Sequence, residues 1–573
     1  MSLAKKFRLG LTTLALALVS VALVACGGNG DDNGNGTDPG PGNNVPGGTG
    51  GNQTVDMTPE EDDIWQLPFD TEGEITLFMW NGTGTFHRDI GNPSNAIPAE
   101  QLMARQDAQM HAAAQAFNQV FPNITVNAYA RVNGPNDDGI SWDQYRENFR
   151  MEHGHYPDVF TVDNLVNDFM RGVIADLTIF ADDPVFQTFN PALMELGQIS
   201  GRQFGLPQYV IPHGIFVNYT LAEQNNIDVP NPNWTLDEYM RFVSNSNHEG
   251  DLWFGAMSFL WVIGDTGTMD FRHQLVNRGP NDPFVNLNSE ATRNVLATLW
   301  SGAEHYVWQS PGSTPEFRSE HWSWGHRFFH QGRILTNAGN PYMMGALAAE
   351  GTDGAATMPG WDIFPRPATP YRGNHVGIIY DPIAVRNFAM DDNNPVLSPE
   401  EYANLAIAFE FVKFMTGDTR SWEARANQYF NTGGGMAPAL HDSFPLVTGP
   451  AFYEQMEIWF RGPRARFADP VLMPGFQYVL HLWEQGEICT FSDKSSPWHH
   501  EFEGSRRLIA FEWLNKHTAG VAGVGEMDPA WLDNVFALLP EWDRVINQRF
   551  EDAFAELDEA LARWYPEQVR GGR

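Results

Sequence analysis

The chain is poor in sulfur and in positive charge. Its 573 residues include two cysteines, Cys26 and Cys489. That leaves no disulfide framework for an exported protein, so stability must come from the size of the core. Basic residues number 35 against 71 acidic ones, a formal net charge of −36. After the first few positions the only lysines are Lys413, Lys494 and Lys516. A field of this sign repels phosphate backbones and anionic lipid surfaces, and a nucleic-acid partner is not expected. The sequence also has no GxSxG elbow, Walker loop, HExxH or CxxC pair. Hydrolase, NTPase, zinc-protease and redox readings therefore have no motif to stand on.

Histidines give no stronger signal. His326 and His330 in "GHRFFH" stand one helical turn apart, as metal ligands do, but that segment itself holds no carboxylate or third histidine. They read as packing or surface residues, and His153, His155, His499 and His500 are equally unspecific. No cofactor and no metal is called for. Paired carboxylates of a glycosidase are not legible from sequence, because 71 acids offer many spatial pairs.

A chain of 573 residues exceeds one core and fits two or three domains. Aromatic content is 13%, with 19 Trp. Most of these rings belong in a core, and a minority exposed in a cleft would suit ring-bearing ligands through their flat faces.

At the N-terminus, Lys5, Lys6 and Arg8 precede an apolar run from Leu9 to Ala25 that stops at "LVAC". A charged start, a short apolar stretch and small residues at the boundary describe a secretory signal rather than a membrane span. The ending resembles a bacterial lipobox, which implies that residues 1–25 are removed and that Cys26 carries lipid. Residues 26–72 are mostly Gly, Asn, Asp, Pro and Thr, a composition that cannot bury a core. They read as a tether spanning roughly 35–40 Å as a coil. Asp31, Asn33 and Asn35 alternate as in a calcium loop, but Gly42 stands where the closing glutamate belongs. Solvated linker is the better reading.

The body alternates strand and helix patterns. "EITLFMWNGTG" reads as a parallel strand ending in a Gly-rich loop, followed by a helix from Ala99 to Val120. "ITVNAYARV" is a second strand, "WDQYRENFRMEHG" a second helix and "YPDVFTVDN" a third strand. That order predicts a parallel sheet covered on both faces. In "GLPQYVIPHGIFVNY", prolines at 207 and 212 bracket the first half, which suits a connector better than an inner strand. Asn218 or Thr220 can cap the next helix, and Thr235 with Glu238 forms a capping box for the one after.

The ordered set "MWNGTG", "FPNITVNAY", "YPDVFTVDN", "IADLTIF", "GRQFGLPQYVIPHGIFVNYTLAEQNNIDVPNPNWTLDEYMRFV", "FFHQGRILTNAGNPYM", "WDIFPRPATP", "HVGIIYDPIAV", "EEYANLAIAFEFVKFMTG", "GGGMAPAL" and "INQRFEDAFAELDEALARW" resembles the sugar-binding extracellular solute-binding proteins of bacterial ABC importers, family 1, of the maltose-binding type. The resemblance runs from about Glu74 to Trp564. It implies an α/β, type II periplasmic-binding-protein fold, with two doubly wound lobes joined by two or three hinge crossings. Lobe 1 would be 73–208 plus 380–440, and lobe 2 would be 209–379 plus 441–573, with the C-terminal helices able to pack back on lobe 1. The first crossing falls at "GLPQYVIPHGIFVNY", the return at His375 to Val385 and a third near Gly433 to Leu440. The stripe Leu405, Ala408, Phe409 and Val412 would pack on lobe 1.

The same resemblance implies an interlobe ligand. Trp80 and Asn81 close the first strand, and Asp163 and Asn164 close the third. A carboxylate and an amide bond sugar hydroxyls, while an indole covers a pyranose face. Tyr209, Trp261, Tyr342, Phe476 and Tyr478 are hinge or second-lobe candidates. The family often has Trp soon after its "AM" motif, whereas Asn340, Pro341 and Tyr342 stand here, so stacking at that point departs from the pattern. "HWSWGHRFF" and Cys489 to Phe502 are aromatic insertions beyond the usual family length. The implied function is capture of a carbohydrate, an oligosaccharide, by a lipid-anchored monomer on the extracytoplasmic face of the cell membrane, and delivery to permease subunits. Two alternatives stay open: the same fold binding a peptide, polyamine or metal complex, and a surface carbohydrate-active enzyme.

Overall fold

The computed structural model describes residues 55, 57, 64–79, 87–95, 97–102, 105–130, 142–162, 164–247, 252–256, 283–284, 286–307, 328–329, 331–339, 360–370, 372–389, 397–431, 436–439, 441, 443–490 and 530–565. The chain divides into two units, Met1–Gln53 and Thr54–Arg573, and all described residues belong to the second. The expected signal, Cys26 and most of the tether lie outside the described residues.

The strands are β1 (Gly73–Met79), β2 (His87–Asp89), β3 (Ile124–Ala130), β4 (Val159–Thr161), β5 (Gln198–Ile199), β6 (Arg202–Gln203), β7 (Leu206–Asn218), β8 (Thr336–Gly339), β9 (Trp361–Phe364), β10 (Val376–Val385), β11 (Tyr429–Asn431), β12 (Met436–Pro438) and β13 (Ile488–Thr490). β5 with β6 and β11 with β12 form two small antiparallel pairs. The others make one mixed sheet in the order β2-β3-β1-β4-β10-β7-β8, with β13 added to β10 and β9 to β7.

The expected strand–helix order holds at the start of this sheet. β1 pairs in parallel with β3 along its full length and with β4 at Leu77 and Phe78. The helices Arg105–Val120 and Trp142–His153 make the crossovers. Ile75 and Leu77 are fully buried on one face and Thr76 and Phe78 nearly so on the other, as expected for a strand covered on both sides. Asp158 then stitches three strands together. One carboxylate oxygen accepts from the Thr76 N–H (2.8 Å) and hydroxyl (2.7 Å), and the other accepts from Arg386 Nε (2.6 Å).

β7 and β10 are the two long strands, and their pairing changes along their length. The first half of β7, Leu206 to His213, pairs antiparallel with β10. From Gly214 onward it lies between β8 and β9. β10 pairs with β4 at its carboxyl end and with β13 at its amino end. They occupy the segments expected to hold the first and return crossings, and the prolines do not interrupt the first of these strands. Val210 N–H turns away from β10 to donate to Ser443 Oγ (3.0 Å). Pro212, two residues on, turns its nitrogen the same way, so its missing N–H takes nothing from the β10 ladder. Pro207 faces Pro382 where the register shifts, which places both prolines at an irregularity instead of inside a regular ladder. The segment on the free edge of β7 is Ser443–Phe444, whose Phe444 N–H donates to Val210 (3.1 Å). It lies a few residues beyond the expected third crossing.

Helix caps follow the sequence. Asn218, rather than Thr220, accepts from Leu221 N–H (2.8 Å), and Thr235 and Glu238 form the capping box. The helix Pro399–Gly417 buries Leu405, Ala408, Phe409 and Val412 as expected, and it also buries Glu410 and Lys413. Lys413 Nζ bonds Glu410 (2.7 Å), Asp183 (2.8 Å) and the Ile64 carbonyl (2.8 Å), so the buried charge is paired on every side. Gln66 N–H reaches Glu410 (3.2 Å) and the Trp65 ring lies 5.1 Å from Phe414. Met57 is also buried in this core and Val55 packs against it, so the chain is packed on the body at these positions and from Ile64 onward, which the tether reading did not expect.

The C-terminal helix Trp531–Trp564 spans 34 residues, about 51 Å at 1.5 Å each. Val535, Leu539, Ile546 and Phe550 enter a core with Ile215, Phe364 and Trp234. Leu557, Ala560 and Leu561 enter a different cluster with Phe160, Phe169 and Phe204. One helix therefore bridges the cluster beside β9 and the cluster beside β4.

Candidate ligand-binding site

The carboxyl ends of β1 and β4 lie side by side. Phe78 is opposite Phe160, so Met79 is level with Thr161. The next backbone group, Val162 N–H, donates to Pro382 of β10 (2.9 Å), and Asp381 of β10 faces Tyr209 of β7. The ends of two parallel strands thus meet the middle of the two long antiparallel strands, where an open α/β sheet leaves a crevice for ligand.

The described side chains of this row are held from behind. Thr161 Oγ1 donates to Gln208 Oε1 (2.8 Å), joining β4 to β7 across β10. Tyr209 is buried, and its hydroxyl donates to the Gln106 carbonyl (3.2 Å) at the start of the helix Arg105–Val120. Asn164 accepts from Asn167 N–H (3.0 Å) and so caps the helix Leu165–Met170. At the start of that helix's second half, Asp168 holds Arg146 in a bidentate pair (2.7 and 3.0 Å), and Arg146 lies 4.7 Å over the Phe160 ring. Such a shell holds the strand ends fixed.

Of the other candidates, Trp80, Asn81, Asp163, Trp261 and Tyr342 lie outside the described residues. In sequence, Trp80 follows Met79 and Asp163 follows Val162, the last described residues of this row. Phe476 and Tyr478 sit on the helix Pro474–Glu484. Phe476 is fully buried, its ring stacked 5.6 Å from Trp459 and tilted against Phe467 at 5.1 Å. Tyr478, on the opposite side of the helix, is half-buried and stacks on His481. Burial raises its phenol pKa.

Asp362, from the "WDIFPRP" segment, anchors that helix. Its carboxylate accepts from Gly475 N–H (2.6 Å), Phe476 N–H (3.1 Å) and Tyr219 hydroxyl (2.9 Å). Burial outweighs these bonds and pushes its pKa up to about 6. Sequence reading missed Thr161 and Gln208 as well. The available signal was a polar Gln inside the otherwise apolar "LPQYVI". Among the described residues no group of three or more His, Cys, Asp or Glu could hold a metal ion, and no helix is long and apolar enough to cross a membrane.

Solved structures share this architecture. An ABC substrate-binding protein from Listeria monocytogenes in complex with cycloalternan superposes with a TM-score of 0.50 at 14% identity, over 83% of this chain and 99% of that one. The cyclic alpha-maltosyl-1,6-maltose binding protein from Arthrobacter globiformis gives 0.50 at 16% identity, over 84% and 99%. The fold is that of the two-lobed solute-binding proteins. A sugar transporter from Rhizobium etli in an open conformation has the same fold, with a TM-score of 0.50 at 14% identity over 82% and 99%. No protein-family model matches the chain, and no curated protein matches its sequence.

Proposed function

We propose that this chain is a solute-binding lipoprotein of the family 1, maltose-binding type that captures a carbohydrate, an oligosaccharide, between two lobes and delivers it to an ABC permease. The observation that carries the reading is the junction of β1 and β4 with β7 and β10, strand ends beside two through-running strands. The likeness in fold to proteins solved with cycloalternan or described as binding cyclic maltosyl-maltose supports a sugar. In this reading lobe 1 is 73–208 plus 380–440, and lobe 2 is 209–379 plus 441–573. Cys26 carries the lipid, the tether holds the monomer at the outer membrane face, and no chemical turnover occurs.

Capture works by closure. The open form binds sugar at the strand ends, the lobes rotate about β7 and β10, and the closed form docks on the permease. Trp80 supplies a stacking face, and Asn81, Asp163 and Asn164 supply hydroxyl partners, with Tyr209, Trp261, Tyr342 and Tyr478 at the hinge or on the second lobe. Phe476 acts by packing the helix that carries Tyr478. Calorimetric titration with linear and cyclic α-glucans is expected to show binding that Trp80→Ala weakens at least tenfold, about 1.4 kcal/mol. Unchanged affinity removes Trp80 from the site, and release of products from polysaccharide contradicts the non-enzymatic reading.

A further inference from the structure

Behind Tyr209 lies a concentration of positive charge in a protein whose net charge is −36. Arg425, near the end of the helix Thr419–Ala426, is 2% exposed. Its Nε and Nη2 have no hydrogen-bond partner, and no acidic side chain pairs with it among the described residues. Its guanidinium lies 5.2 Å over the Trp422 ring, and Trp422 stacks on His441 at 3.9 Å. His441 is 2% exposed, and its Nε2 faces the Trp422 carbonyl at 3.0 Å while Nδ1 has no partner. Arg464 donates to the His441 carbonyl from the other side.

The electrostatics fit one cluster. Burial and the charges of Arg425, Arg464 and Arg105 hold the His441 imidazole well below its ordinary pKa. Burial lowers Arg425 only to about 10, with Tyr209 opposing, so the guanidinium stays charged at neutral pH. A guanidinium cannot relieve burial by losing its proton, and an unpaired buried cation is strongly destabilising. The aromatic face of Trp422 offsets only part of that cost.

We propose that the Arg425–His441 cluster is a built site for a small monovalent anion, which completes the hydrogen bonding of Arg425 Nε and Nη2 and neutralises the core behind the hinge tyrosine. The anion is a halide or a small carboxylate, held by charge-assisted bonds from a planar donor fork. This site is separate from the solute crevice and does not depend on which solute that crevice takes.

The test uses the protein from residue 54 onward, with chloride and acetate as probes, titrated in a sulfonate buffer at constant ionic strength. The expected result is a saturable rise in melting temperature with at least one of the two, absent in Arg425→Met, whose anion-free form melts no lower than the wild type. Which probe acts distinguishes halide from carboxylate. A crystal grown in bromide is expected to show an anomalous peak within hydrogen-bond reach of Arg425 Nε or Nη2, a readout that stands even where Arg425→Met does not fold. No saturable response to either probe, an equal response in Arg425→Met, or, where chloride is the probe that acts, bromide absent from this cluster overturns the proposal.

Discussion

Asp362 shows how much one side chain can organise. Its neighbour in the chain is Trp361 of β9, yet its carboxylate fixes backbone groups 113 and 114 positions later, at the start of the helix that carries Phe476 and Tyr478. Because its folded pKa rises from 3.8 to about 6, the folded state holds the proton more tightly than the unfolded state between those values. Its contribution to stability is therefore fully present below about pH 4 and is lost as pH rises through 6. Roughly two pH units at 1.36 kcal/mol each set a ceiling of about 3 kcal/mol. Denaturant titrations of wild type and Asp362→Asn at pH 4 and pH 7 should show the wild type losing stability relative to the variant as pH rises. A pH-independent difference contradicts this. At this scale the sequence was only partly legible: "WDIFPRP" announced a strand, but a carboxylate's partners a hundred residues away leave no mark in local pattern. Lys413 hid in the same way, a cation inside an apolar stripe whose partners come from residues 64, 183 and 410.

Among the elements, β7 decides the architecture. Its 13 residues pass from pairing with β10 to lying between β8 and β9, with the change at His213 and Gly214. A Cβ at Gly214 would meet Ile363 Cγ1 and the Phe364 carbonyl at 2.7 Å each. One of these is backbone, so the strands must part rather than a side chain turn aside. Gly214→Ala is expected to destabilise by about 1–3 kcal/mol, as overpacking does, read from the shift in urea midpoint at unchanged slope. An unchanged midpoint shows that β7 and β9 can separate there freely. The strands and helices of the β1–β4 region were legible because their apolar runs and caps are local. The continuity of β7 was not, since two prolines read as interruptions. Which way each proline nitrogen points, and the presence of Pro382 opposite Pro207, are set by the partner strand.

On the scale of the whole molecule, one large buried cluster runs from Ile75 and Val126 to Ile334 and Trp361, and two smaller ones flank it. β7 and β10 run between the parts of the sheet around β4 and around β9, and the C-terminal helix bridges the corresponding clusters. In the proposed function the lobes rotate about these elements, which requires only a few strand residues to change their backbone angles. The ordered run of segments made the fold legible in the sequence. The ligand was not, because Trp80, Asp163, Trp261 and Tyr342 report residue type without the geometry that selects one sugar over another. The account stands or falls on capture by closure. Small-angle scattering of the protein from residue 54 onward, recorded free and with saturating oligosaccharide, tests it most directly. Capture by closure predicts a smaller radius of gyration with sugar and an unchanged one with polyamines or peptides. Contraction with a non-sugar solute alone, or sugar binding without contraction, would contradict it.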